Sequence, residues 1–375
     1  MRIAIDFTAG VRQPAGVGRY TRGLVRALAH AADDDHEDHS LTLLWSGRKR
    51  MQLPANWPGV TTRQLPLDER WMTVAVQRLR LPFPADLYAG GADILYSPDF
   101  ALAPRWRAPG VVTIHDLSYV LFPETHFPPL RKYLEDTVPR SVRAASLVLA
   151  DSDQTRRDVI NHLGTDPAKV LTVLSAPDDV FKPATLASIE AVLAKWNVGG
   201  DYVISVGTIQ PRKNLPVIFE ALRQLPDSVR MVHVGRPGWL CDPIFVALDR
   251  SGVKDRVTIL SGVDDDDLAA LYGGAVACVF PSVYEGFGLP CVEAMACGVP
   301  VIASHGGSLA EVVQDAGIIV DPFDSKAIAT GVRRLMEDSA FRSDLIRRGH
   351  AQASLFRWDE SGLKVLEAFK DIVGR

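Results

Sequence analysis

Cysteine is scarce in this chain. Only four occur in 375 residues, Cys241, Cys278, Cys291 and Cys297, and none forms a CxxC pair. A disulfide-stapled scaffold is thereby excluded, and the four read as reduced thiols of a cytoplasmic protein. Cys278, Cys291 and Cys297 lie in apolar surroundings, where a core thiol is the better reading than a metal ligand. An excess of one charge is also lacking. The formal net charge is −4, so no basic field marks a nucleic-acid binder. No apolar run reaches the ~18 residues of a membrane-spanning helix. The opening MRIAIDFTAG reads as a buried strand, with too short an apolar run for a secretory signal and no small-residue cleavage site after it. There is no low-complexity tract and no short-period repeat. Nor is there a complete G-x-G-x-x-G with a downstream acid, which argues against a dinucleotide oxidoreductase.

What is present is alternation. At 375 residues the chain is too long for one ordinary core and suits two domains, and its 47% hydrophobic content is enough to fill both. Strands are expected at 2–7, 41–46, 92–98, 110–116, 146–151 and 171–176, with a helix over 19–31. A bridge containing two prolines and charge, PDDVFKPA (177–184), interrupts the series. The alternation restarts with strands at 201–208, 230–235, 257–262, 275–282 and 317–322, and helices over 216–224 and 265–272. Apolar strands alternating with helices specify parallel sheets covered on both faces. Two such series give an α/β fold of two doubly wound, Rossmann-like domains, 1–176 and 184–356. A cleft is expected between them, with ligands at the carboxyl ends of the strands. An amphipathic helix over 357–373 ends the chain.

The densest signal is YEGFGLPCVEAMACGVPVIAS (284–304): a glycine-rich turn, a short helix from about Pro290 that Gly298 stops, then a second apolar run. GFGLP (286–290) feeds a helix N-terminus, whose N–H groups and dipole favour an anion, while Gly286 and Gly288 let a ligand approach the backbone. Glu285 sits in the loop and Glu293 one turn into the helix. Complementing the dipole remains open for Glu293, but capping does not explain Glu285. In GTIQPRKN (207–214), Arg212 and Lys213 follow a strand and can clamp a diphosphate. Alone that triplet reads as a solvated loop; beside GFGLP the anion reading is stronger. AGVGRY (15–20) puts Gly16 and Gly18 at the first strand-to-helix turn, a weak motif by itself.

His115 ends a strand beside a polar turn, as a site residue or as a histidine bonding backbone, and no second acid stands out near it. DSD (151–153) mimics a DxD metal motif but reads as a helix cap by Ser152 or Asp153. DDDHEDHS (33–40), with His36 and His39, reads as a solvated loop, and DDDD (264–267) as acids at a helix start. No metal site is expected. In 67–90, Arg70, Arg78 and Arg80 interleave with Trp71, Met72, Val76, Leu79, Leu81 and Phe83. A segment touching anionic lipid, an acceptor pocket and a plain packed helix all stay open there.

Together these residues resemble the GT-B glycosyltransferases of family 4 (glycosyl transferases group 1), a large retaining family that includes bacterial mannosyltransferases and relatives of sucrose and glycogen synthases. The resemblance covers nearly the whole chain. It rests on the loop 16–18, His115-Asp116, Ser152 after LVLAD, GTIQPRKN, the E-x7-E segment from Glu285 to Glu293, and GSLAEVVQDAGIIVDP (307–322). It implies that Arg212 and Lys213, in the loop with Gly207 and Thr208, bind a donor diphosphate. Glu293 would bond the ribose hydroxyls. Glu285, with the backbone of Gly286, Phe287, Gly288 and Leu289, would hold the donor sugar. Gly262 and Val263 would border the base, Gly16 and Gly18 would let the first loop close near the phosphates, and His115 would approach the transferred sugar. Residues 357–375 would return to the N-terminal domain.

Thr208 stands where many members carry a phosphate-binding arginine, a role Arg212 would take, and Thr208 followed by PRKN points to GDP-mannose. The implied reaction moves a hexose from a nucleotide-diphosphate sugar, with retention and without metal or other cofactor. The implied acceptor is a saccharide, linked to a polyprenyl diphosphate, in bacterial surface polysaccharide synthesis. The implied location is the cytoplasm, peripheral at the inner membrane face, with no nucleic-acid partner. A sugar-nucleotide epimerase of the same architecture and a non-catalytic nucleotide-sugar-binding protein are the alternatives. The E-x7-E segment argues against the first, and the intact set of His115, Lys213 and both glutamates against the second.

Overall fold

The computed structural model describes residues 1–13, 16–47, 57–65 and 84–374. Of the 67–90 stretch, residues 67–83, with Arg70, Arg78, Arg80, Trp71 and Phe83, lie outside the described residues. Contacts divide the chain into two compact units: Met1–Leu117 with Lys132–Ser175 and Arg357–Arg375, and Ser118–Arg131 with Ala176–Phe356.

The first unit contains β1 (Arg2–Asp6), β2 (Ser40–Trp45), β3 (Val60–Gln64), β4 (Ile94–Ser97), β5 (Gly110–Ile114), β6 (Leu147–Ala150) and β7 (Val170–Thr172). They form one sheet in the order β3-β2-β1-β4-β5-β6-β7, every adjacent pair parallel. Central strands such as GVVTI of β5 are buried along their whole length, as a sheet covered on both faces requires. The polar edge strand β3, VTTRQ, is mostly exposed and offers no hydrophobic run for a sequence reading to find.

Helix Trp358–Val373 packs on helix Val17–Asp34 inside this unit. Gly23 and Gly362 make the approach close: a Cβ on Gly23 would enter the Trp358 indole, and one on Gly362 would meet the Ala27 backbone. Lys370 Nζ donates to Asp35 Oδ2 at 2.9 Å and Asp35 also meets His39 Nε2 at 3.2 Å. The acidic stretch 33–40 is mostly exposed, as a solvated segment should be, but its first two residues finish a helix, and Asp35 and Glu37 meet Lys370 of the final helix while His39 holds Asp35.

The second unit contains β8 (Tyr202–Val206), β9 (Arg230–Val234), β10 (Val257–Leu260), β11 (Ala277–Phe280), β12 (Val301–Ser304) and β13 (Gly317–Val320). Their order is β10-β9-β8-β11-β12-β13, again all parallel. Strand order in this sheet reverses between β8 and β11, and a doubly wound sheet binds its ligands at that switch point, beyond the strands' carboxyl ends. The loops that leave those two ends are 207–214 and 281–288. Residues 118–131, which the sequence reading put in the first domain, cluster with this unit. Trp239 Nε1 donates to the Thr125 carbonyl at 2.9 Å, and Phe122 packs on Tyr284 with ring centroids 5.6 Å apart. No helix among the described residues is long and apolar enough to cross a membrane.

Candidate active site

The two switch-point loops of the second unit are laced together. Val283 N–H donates to the Arg212 carbonyl at 2.9 Å, and the Arg212 guanidinium donates to the Tyr284 carbonyl at 2.6 Å. Asn214, in left-handed backbone at φ +53°, donates from Nδ2 to the Pro322 carbonyl at 2.6 Å. The result is a cluster of three charges. Glu285 Oε1 accepts from Lys213 Nζ at 2.6 Å, and Oε2 lies 2.8 Å from an Arg212 guanidinium nitrogen. All three side chains are nearly buried.

Backbone geometry fixes each member. A Cβ on Gly207 (φ +137°) would crowd the Lys213 stem at 3.1 Å, so glycine makes room for the lysine. His233 Nε2 holds the Gly207 carbonyl at 2.9 Å; burial drives this imidazole down to about 4, so it is neutral and donates. Lys213 Nζ also lies over the Phe280 ring, 4.5 Å from its centroid. Behind Glu285, Ser308 donates to the Glu285 carbonyl through both N–H (3.0 Å) and Oγ (3.1 Å). Gly307 (φ +66°) lies so close that a Cβ there would strike that same carbonyl oxygen.

The electrostatics follow from burial and pairing. Burial alone would raise the Glu285 carboxyl, but the charges of Arg212 and Lys213 outweigh it and hold it down to about 2. Burial pulls the Lys213 ammonium below the usual lysine value, with Glu285 opposing the shift. The Glu285 value lies below its ordinary 4.5, so its stabilisation is complete above about pH 4.5 and drains away as pH falls toward about 2. That gap corresponds to about 3 kcal/mol. Calorimetric melts of wild type and Glu285→Gln are therefore expected to differ most above pH 5 and to converge as the pH is lowered. A constant difference across that window would remove the ionised cluster from the account.

The other predicted residues of this unit lie on helix Leu289–Ala296 and on the loops that follow the unit's strands. Helix Leu289–Ala296 starts at Gly288, whose φ of +94° suits glycine, and Pro290 sits in the first turn. The first-turn N–H groups of such a helix have no carbonyl four residues back, which favours an anion there. Gly286 and Phe287 are buried, the Phe287 ring packing edge-on to Phe356 at 5.4 Å, which leaves only its backbone for a ligand. Leu289 is half-buried. Glu293 is fully buried, and the Tyr272 hydroxyl donates to its Oε2 at 3.3 Å. Thr208 is exposed, and Gly262 (φ +78°) and Val263 lie beyond the end of β10, with open space around the glycine. Cys278, Cys291 and Cys297 are free, buried thiols that burial pushes up. Asp264 caps helix Asp265–Gly273 by accepting from Asp267 N–H at 2.8 Å, the helix-start role read for DDDD.

Gly16, Gly18 and His115 belong to the first unit. Gly16 (φ +56°) starts helix Val17–Asp34 and is exposed, while a Cβ on Gly18 would run into the Gln13 carbonyl. His115 follows β5 directly. Its Nε2 donates to the Pro98 carbonyl at 2.9 Å, and its Nδ1 lies 2.7 Å from Asp151 Oδ2. The expectation that no second acid stands near His115 is therefore wrong. DSD divides its labour: Ser152 caps helix Asp153–Leu163 by accepting from Thr155 N–H at 3.0 Å, Asp153 accepts from the Thr172 hydroxyl, and Asp151 turns to His115. The missed signal was strand adjacency. Ile114 and Ala150 are partners in β5 and β6, so the next residue on each strand is a neighbour of the other. Among the described residues no group of three or more His, Cys, Asp or Glu side chains gathers to hold a metal.

Comparison with known proteins bears on the family and the fold. Residues 14–175 match the model of "Glycosyltransferase Family 4" and residues 193–352 that of "Glycosyl transferases group 1". The chain is 32% identical to the O-antigen chain mannosyltransferase B of Escherichia coli, over 97% of this chain and 98% of that one. In fold it is similar to the sucrose-phosphate synthase of Thermosynechococcus elongatus, with TM-score 0.80 and 21% identity over 100% of this chain and 99% of that one. It is likewise similar to WaaG, a glycosyltransferase involved in lipopolysaccharide biosynthesis, with TM-score 0.73 and 18% identity over 100% of both chains.

Proposed function

The chain belongs to glycosyltransferase family 4, and from that membership we propose that it transfers mannose from GDP-mannose to a saccharide acceptor with retention of configuration. The observation that carries the proposal is the buried Arg212–Lys213–Glu285 cluster at the switch point of the second unit. Diphosphate leaves as an anion whose charge grows in the transition state. Two preset cations and the first turn of helix Leu289–Ala296 offset that charge without reorganising. Donor binding is proposed to be independent of metal, because the two cations take the place of a countercharge. Glu293 bonds the ribose hydroxyls, Gly262 and Val263 border the base, and Glu285 with the 286–289 backbone holds the sugar. The acceptor hydroxyl attacks on the face from which the diphosphate departs, and a leaving phosphate oxygen takes its proton.

Mannose is favoured over glucose by the whole-length similarity to a protein named as a mannosyltransferase. That name also supports a surface-polysaccharide acceptor; a polyprenyl-diphosphate carrier and a peripheral position at the cytoplasmic membrane face complete the proposed reading. The test is a donor panel. GDP-mannose, UDP-glucose and ADP-glucose are offered with a mannosyl-lipid acceptor, and the product anomer is read by proton NMR. Consumption of GDP-mannose alone, giving an α-mannoside, is expected. A different donor, or a β product, overturns the proposal.

A further inference from the structure

We propose that Asp151 is a positioning residue: it holds His115 as a fixed hydrogen-bond donor at both ring nitrogens and so bars it from acting as a base. The inference rests on the reading that His115 serves the transferred sugar.

The hydrogen-bond chemistry carries it. A carbonyl can only accept, so the contact from Nε2 to Pro98 at 2.9 Å places a hydrogen on Nε2. An ionised carboxylate also only accepts, so the 2.7 Å contact to Asp151 places one on Nδ1. The ring is then an imidazolium, packed further in T-shaped contacts with the rings of Tyr20 (centroids 4.8 Å, 87°) and Phe100 (5.3 Å, 71°). Its own backbone is pinned by the Thr155 hydroxyl, which donates to the His115 carbonyl at 3.1 Å. The turn that caps helix Asp153–Leu163 therefore both presents the carboxylate and grips the histidine. Burial raises the Asp151 carboxyl, and its Oδ1 has no hydrogen-bond partner among the described residues, so the charge and hydrogen bond of His115 are what oppose that shift and keep the acid ionised.

The groups whose fields reach the pair are Asp99 and Asp116, both acidic, and the hydroxyls of Tyr20 and Tyr96, kept neutral by burial. Burial alone would pull the His115 imidazolium down. The charge and hydrogen bond of Asp151, then Asp99 and the Pro98 carbonyl, outweigh it and push the group up to about 9. A sugar hydroxyl taking the place of the Pro98 carbonyl would receive a charge-assisted hydrogen bond from Nε2.

The test compares Asp151→Asn with wild type and with His115→Asn. The asparagine amide can still hold Nδ1, but the balancing charge is gone, so burial decides and the ring becomes neutral. Wild-type turnover is expected to stay flat from pH 6 to 8. Asp151→Asn is expected to lose about tenfold at pH 8, with the donor KM little changed, and to recover as the pH falls and the ring charges. Asp151→Glu is expected to restore most of the flat profile. NMR of the His115 ring, assigned from the peak missing in His115→Asn, is expected to show a protonated ring through pH 8 in wild type and one titrating below pH 7 in Asp151→Asn. An unchanged profile and turnover in Asp151→Asn, with His115→Asn inactive, overturns the proposal. Full activity in His115→Asn overturns instead the reading of His115 as a site residue, and the NMR comparison then decides the role of Asp151 alone: identical titration in both proteins refutes it.

Discussion

Lys213→Ala is expected to lower turnover by roughly several hundredfold while the protein remains folded. Lys213 stands between Glu285 Oε1 at 2.6 Å and the face of Phe280 at 4.5 Å, with its stem against Gly207. It is nearly buried, so water screens its charge little. Removing one preorganised donor from a developing anion costs about 3–4 kcal/mol, which is between two and three orders of magnitude. In the proposed mechanism the charge on the leaving diphosphate is greater in the transition state than in the bound donor. Turnover should therefore suffer more than affinity for free nucleotide. Arginine should rescue little, because the Gly207 contact leaves room for an alkyl stem and a compact ammonium, not for a planar fork. Steady-state kinetics with donor varied at saturating acceptor separates the two parameters. A fall in affinity alone would make Lys213 a binding residue and nothing more.

Glu285→Gln is expected to pull binding and turnover in opposite directions. The cluster contains two cations and one carboxylate held down to about 2, so in the proposed mechanism it meets the diphosphate with one net positive charge rather than two. Removing the carboxylate charge strengthens the field on a bound anion. At an effective dielectric of about 20, a unit charge roughly 6 Å away is worth about 3 kcal/mol, part of which goes to the looser cations. GDP is expected to bind about tenfold tighter, while turnover falls about a hundredfold as the cations lose their fixed positions and the sugar loses its carboxylate partner. The variant's unliganded melting temperature should drop, because two cations are left without their acid, and GDP should raise it by more than it raises wild type. Weaker GDP binding in this variant would mean that Glu285 supports the nucleotide directly, and the division of labour argued above would fall.

Much of this was legible in the residues. The apolar runs placed nearly every buried strand to within one or two residues, because strands covered on both faces are hydrophobic throughout, as ACVF of β11 and GVVTI of β5 are. The polar edge strand β3 has no such run and escaped. GFGLP and PRK were readable as loops at strand ends; that Glu285 joins the two cations was not, because that contact depends on which strands neighbour each other. The same holds for Asp151. Reading DSD along the chain found the cap at Ser152, and only the β5–β6 pairing brings the preceding acid to His115. Asp35 is a third case: its partner Lys370 lies 335 residues away and becomes a neighbour only when the final helix packs on helix Val17–Asp34.

The central claim is that the second unit binds a nucleoside diphosphate through Arg212, Lys213 and Glu293. Calorimetric titration of the wild type with GDP, UDP and ADP in the presence of EDTA, repeated with Glu293→Gln, tests it most directly. The account predicts that GDP binds without metal, that UDP and ADP bind far more weakly, and that Glu293→Gln loses at least tenfold in affinity for GDP. Absence of binding by all three nucleotides, or a Glu293→Gln variant that binds GDP as wild type does, would contradict it.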